Sequence, residues 1–214
     1  RVRGHRLPSR RDDEATPGRT PFLVGRDEEL GLRRRRWEQS KEGLGHVVLW
    51  SGAAGLGKSS LVAALRAQVG REGAARLTLR CSPYHTNSAL SPVIEHLQQV
   101  LQLERTDAPA TKLAKLEQGL QPSRLPREEV VPLYGALLAV PLPPERYAIR
   151  SLSPQQQRQQ TQEALVAWLL EAAARQPVLA VWEDLHWADP TTLELLGLLL
   201  DPTPTAAMLH VLTF

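Results

Sequence analysis

The octapeptide Gly52-Ala53-Ala54-Gly55-Leu56-Gly57-Lys58-Ser59 stands between the apolar run His46 to Ser51 and the amphipathic run Leu61 to Val69. Strand, glycine-rich loop and helix in that order leave few folds open. The glycines let successive backbone N–H groups turn inward toward an anion, and the helix that follows adds the positive end of its dipole at the same point. The spacing G-x-x-x-x-G-K-[ST] sets Lys58 to reach terminal phosphates and the Ser59 hydroxyl to face Mg²⁺. A tight turn by itself needs neither the lysine nor the hydroxyl. The loop therefore reads as a phosphate cradle made of Gly52, Ala53, Ala54, Gly55, Leu56, Gly57, Lys58, Ser59 and Ser60.

The flanking pattern supplies the fold class. A second strand is expected over Ala75 to Cys81, then four helical segments (Leu90 to Leu103, Thr111 to Leu120, Arg127 to Val140, Pro154 to Ala174) as an insert. Val178 to Trp182 runs apolar without alternation, as a strand covered on both faces of a parallel sheet should. A helix over Leu193 to Leu200 and a strand over Met208 to Phe214 complete the set. Strands separated by helices imply right-handed crossovers and an open parallel sheet with helices on both faces, an α/β architecture of the P-loop NTPase type.

Glu183 and Asp184 follow the unalternating strand, where open α/β sheets bind their ligands. Two acids beside a phosphate loop divide naturally into one that holds Mg²⁺ and one that orients or deprotonates the attacking water. Lys58 joins them as the third catalytic candidate. Asp189 before Pro190 suits a helix cap, and Trp187 a packing role.

Composition excludes several classes. At 214 residues and 42% hydrophobic content the chain builds one main domain. A single cysteine, Cys81, rules out an internal disulfide and suits a reducing, cytoplasmic setting. No apolar run is long enough to span a bilayer. The net charge of +3 is uneven, since the first 36 residues hold eleven Arg against six acids. Residues 1–20, almost free of apolar side chains, read as a disordered basic linker, and 21–214 as the folded domain. The leader lacks the interleaved aromatics of a stacking surface, so a nucleic-acid partner is not expected of this segment.

The segments Phe22 to Leu30, Gly52 to Ser59 and Val181-Trp182-Glu183-Asp184-Leu185-His186-Trp187-Ala188-Asp189-Pro190 together resemble the STAND and AAA-type ATPase modules of large bacterial signalling proteins. The cyclase-linked ATPases that precede tetratricopeptide repeats are similar, as are LuxR-type regulators with a winged helix. The resemblance implies ATP and Mg²⁺ as ligands and neighbouring cyclase, repeat or winged-helix domains as partners. It places Gly25 and Arg26 beside adenine and ribose, and Glu183 at the metal-directed acid with Ser59. Asp184 falls at the catalytic acid, although relatives often carry Asp where this chain has Glu183, which leaves the division of labour between the two open. The function implied is an ATP-binding, ATP-hydrolysing switch. Alternatives are a non-hydrolysing nucleotide-binding scaffold and a DNA-associated, origin-recognition-like ATPase. The chain ends at Phe214, before the phosphate-sensing arginine, the next strand and the lid of those modules. A C-terminally incomplete sheet, an uncovered strand beside the phosphate loop and low turnover are the expectations.

Overall fold

The computed structural model describes residues 27–52, 58–121, 123–147 and 152–214, with the side chains of residues 27–30, Arg33 and Lys58 left aside. The linker expected over 1–20, the segment with Gly25 and Arg26, and the loop residues Ala53, Ala54, Gly55, Leu56 and Gly57 lie outside the described residues.

Four strands, β1 (His46–Trp50), β2 (Ala75–Arg80), β3 (Val178–Glu183) and β4 (Met208–Thr213), form one parallel sheet in the order β1-β4-β3-β2. Helices α1 (Asp27–Lys41) and α2 (Lys58–Arg71) cover one face. Between β2 and β3 run α3 (Ser91–Val100), α4 (Pro109–Gly119), α5 (Arg127–Leu137) and α6 (Pro154–Arg175), and α7 (Pro190–Leu200) joins β3 to β4. These pack on the other face. The fold is the α/β arrangement expected from the sequence, helical insert included.

β3 shows why an unalternating run marks a central strand. Leu179 and Val181 enter a core with Trp37, Val62, Leu65, Val69, Leu209 and Val211. Their neighbours Val178, Ala180 and Trp182 enter the core on the opposite face with Leu97, Leu165, Leu169 and Leu195. Every residue of β3 and β4 is buried. Within β4 this includes His210, whose Nδ1 accepts the Trp182 indole N–H at 3.2 Å. Burial lowers its pKa to about 4, so the ring stays neutral as an acceptor.

β1 lies at the edge of the sheet among the described residues, as the resemblance implied for the strand beside the phosphate loop. Its sequence has the character of a buried strand, yet Val47 and Leu49 are 45% and 59% exposed while Val48 and Trp50 pack inward. The cause is position: β1 pairs only with β4 among the described residues, and the layer built from α3 to α7 does not reach its outer face. An edge with apolar side chains and unpaired backbone groups favours association. This polypeptide is expected to elute from gel filtration as concentration-dependent oligomers, and Val47→Thr with Leu49→Lys to shift it toward monomer.

Helix limits follow local chemistry. Ser153 and Gln156 form a reciprocal capping box at the start of α6. Asp189 caps α7 by accepting from Thr192 N–H at 3.0 Å, with Pro190 at the first helical position as the sequence suggested. Gly43, at φ +87°, turns the chain out of α1 in the left-handed region. Observed α3 is shorter than the segment Leu90 to Leu103, and α4 begins two residues before Thr111, at Pro109.

Candidate functional site

Because all four strands are parallel, their carboxyl ends share one edge of the sheet. There β1 ends at Trp50 and the chain passes through Ser51 and Gly52 toward α2. Lys58, Ser59 and Ser60 form the first turn of α2, with Ser59 exposed and Ser60 half-buried. A helix N-terminus at the carboxyl edge of a parallel sheet is a place where backbone N–H groups and the helix dipole meet an anion.

Two strands away, Glu183 is the last residue of β3 and Asp184 the first beyond it. Between β1 and β3 lies β4, and its terminal Thr213 links the two sides. Thr213 pairs in register with Trp50, and its hydroxyl accepts the Asp184 backbone N–H at 3.1 Å. Asp184 itself stands in the left-handed region (φ 58°, ψ 46°), a conformation that costs a non-glycine residue on the order of 1–3 kcal/mol. The bond from Thr213 helps to hold it there.

The two acids have different surroundings. The Glu183 side chain is 12% exposed, and its Oε2 accepts from both Nε and Nη2 of Arg80 at 2.7 Å. Arg80 ends β2 and is the register partner of Glu183. Arg66 on α2 approaches the other oxygen at 3.9 Å. Asp184, half-buried, has no hydrogen bond or ion pair to its carboxylate among the described residues. Burial, with the charges of Asp189 and Asp184 adding to it, pushes the Cys81 thiol up to about 11, so the thiol stays neutral. Trp187 is 41% exposed and leans on the His186 ring at 5.0 Å.

A divalent cation fits this donor set in a particular way. Among the described residues no three His, Cys, Asp or Glu side chains converge to cage a metal. One hydroxyl and one carboxylate are hard oxygen donors, enough for an ion held mostly by phosphate oxygens and water, as Mg²⁺ usually is.

The family of the chain is settled by its match over residues 23–213 to the sequence model of the AAA ATPase domain. The chain belongs to the AAA ATPase domain family. Nucleotide binding is accordingly the property its fold is built for. This AAA ATPase domain is 29% identical over 181 residues to an uncharacterized protein of Rhizobium meliloti (strain 1021), covering 82% of the chain and 17% of that relative's length. No solved structure matches the chain. No helix among the described residues is long and apolar enough to cross a membrane.

Arg80, Arg66 and Thr213 were missed by sequence reasoning. Arg80 and Thr213 end apolar strands, which is a usable signal once the strand order is known. Nothing local marks Arg66.

Proposed function

We propose that this AAA ATPase domain binds ATP with Mg²⁺ and serves as a nucleotide-driven switch in a larger bacterial signalling or regulatory protein. The observation that carries the reading is the gathering of the α2 N-terminus, the Glu183–Asp184 pair and Thr213 along one edge of a parallel sheet. In this reading the loop Gly52 to Ser60 cradles the phosphates, Lys58 neutralises the terminal ones, and Ser59 with one of the two acids faces Mg²⁺. The other acid orients water. When bound, the ion would spread the charge that develops on the transferred phosphoryl group. Gly25 and Arg26 are assigned to the adenosine end from the resemblance alone. Since the matched region is a small part of the relative's length, output domains such as a cyclase, tetratricopeptide repeats or a winged helix belong to the proposal.

A switch must be reset by hydrolysis, and a scaffold need not be. The engagement of Glu183 by two arginines favours the second reading, a module in which nucleotide chiefly stabilises the fold. Asp184→Asn in a longer chain separates them. A switch is expected to lose turnover by about 10²-fold or more, whereas unchanged output would establish the scaffold.

A further inference from the structure

Resting on the nucleotide-binding reading above, we propose that His210 is a positioning residue: by accepting the Trp182 indole N–H it pins β4 to β3 in one register, and so fixes the level at which Thr213 meets the chain beyond β3.

The need for a pin follows from how the two strands are buried. In a sheet with one wet face, a one-residue slip sends a whole apolar set into solvent, and register is strongly specified. β3 and β4 have no wet face, since every residue of both is buried. Val178 to Trp182 and Met208 to Leu212 are apolar apart from His210, so a slip along the ladder exchanges one apolar neighbour for another. A two-residue slip even keeps each side chain on its own face. Hydrophobic burial alone therefore separates these registers weakly.

The Trp182–His210 pair separates them strongly. Both side chains are fully buried. His210 lies opposite Ala180 and Trp182 opposite Leu212, which makes the two diagonal neighbours on one face, within reach of each other because both rings are long. The rings stack with centroids 6.4 Å apart and planes 23° apart, and the indole N–H meets Nδ1 at 3.2 Å. With Nδ1 as acceptor the proton sits on Nε2, which donates toward the Met208 sulfur at 2.8 Å. All three ring nitrogens are thus satisfied in this register. A two-residue slip would move the partners by about 6–7 Å along the strand. It would strand a buried donor and a buried acceptor, and each is costly without a partner.

What the register decides is the carboxyl edge of the sheet. The same ladder ends where Thr213 accepts the Asp184 backbone N–H at 3.1 Å, and Thr213 is paired with Trp50, from which the chain runs toward the phosphate loop. His210 touches no part of that edge. It acts through the two strands whose ends meet there.

The test sets the acceptor against volume. His210→Leu keeps roughly the bulk of the ring and removes the acceptor, whereas His210→Asn leaves a gap but offers an oxygen where Nδ1 stood. Amide spectra of the isotopically labelled 214-residue protein, with interstrand proton contacts between β3 and β4, read the register. His210→Leu is expected to show two sets of β3 and β4 resonances, the second at roughly a tenth of the intensity. His210→Asn should show one set with the parental contacts, although it melts lower. Trp182→Phe, which removes the donor and keeps an aromatic ring, should double as His210→Leu does, and it stands in should that variant not fold. Refolded with a saturating non-hydrolysable Mg·ATP analogue, the doubled variant should return to one set, because only the parental register builds the site. A single parental set in folded His210→Leu or Trp182→Phe, or doubling in His210→Asn, means that packing fixes the register and overturns the pin. Doubling that persists in the analogue-bound variant overturns the positioning role. Failure of the folded parent to bind the analogue would instead overturn the nucleotide-binding reading, with the register result still deciding the pin.

Discussion

Lys58→Ala is expected to weaken ATP binding by about 10- to 100-fold while leaving the unfolding temperature of the nucleotide-free protein within a degree or two. A hydrogen bond from a charged donor contributes roughly 1.5–3 kcal/mol, and each 1.4 kcal/mol is a factor of ten in affinity. The folded state should not depend on the substitution, because Lys58 opens α2 at the rim of the sheet and alanine is a good helix former there. Calorimetric titration with Mg·ATP beside thermal unfolding without nucleotide checks both halves. Equal affinities for the two proteins would remove the phosphate loop from the account.

Gly45→Ala is expected to have the largest effect on stability. A Cβ at Gly45 would stand 1.9 Å from the carbonyl oxygen of Thr203 and 2.8 Å from that of Ala206. Both are backbone atoms, so no side chain can swing away. The segment Thr203 to Ala206 leads into β4, and Gly45 leads into β1, so relief must come from prying apart the pair His46↔Leu209. Overpacking of this kind costs about 3 kcal/mol, and for a chain of this size that lowers the melting temperature by roughly 10 °C. Gly197 is the control. An added Cβ there meets nothing within 4 Å on an exposed helix face, and Gly197→Ala should stabilise by about 0.5–1 kcal/mol. Circular dichroism melts of the two variants should move in opposite directions.

Much of this was legible along the chain because it is written in local pattern. The unalternating Val178 to Trp182, the proline and aspartate before α7, and the glycine-rich loop each declare themselves within ten residues. Strand order is different in kind. No local signal says that β4 inserts between β1 and β3, and from that one fact follow the exposure of Val47 and Leu49 and the bond from Asp184 to Thr213. The resemblance of the chain to signalling ATPases, not its periodicity, anticipated an uncovered strand beside the loop. The Arg80–Glu183 pair joins residues far apart in sequence and was invisible for the same reason.

The insertion of β4 beside β1 also sets a schedule for synthesis. Val48 has Val211 as its partner, so roughly 160 residues separate the two halves of that ladder, and such distant pairings close late. At about 5–20 residues per second on the ribosome, His46–Trp50 would wait on the order of ten seconds or longer for its neighbour to be made. Throughout that interval a largely apolar pentapeptide stands without a ladder partner, the kind of exposed strand on which nascent chains associate.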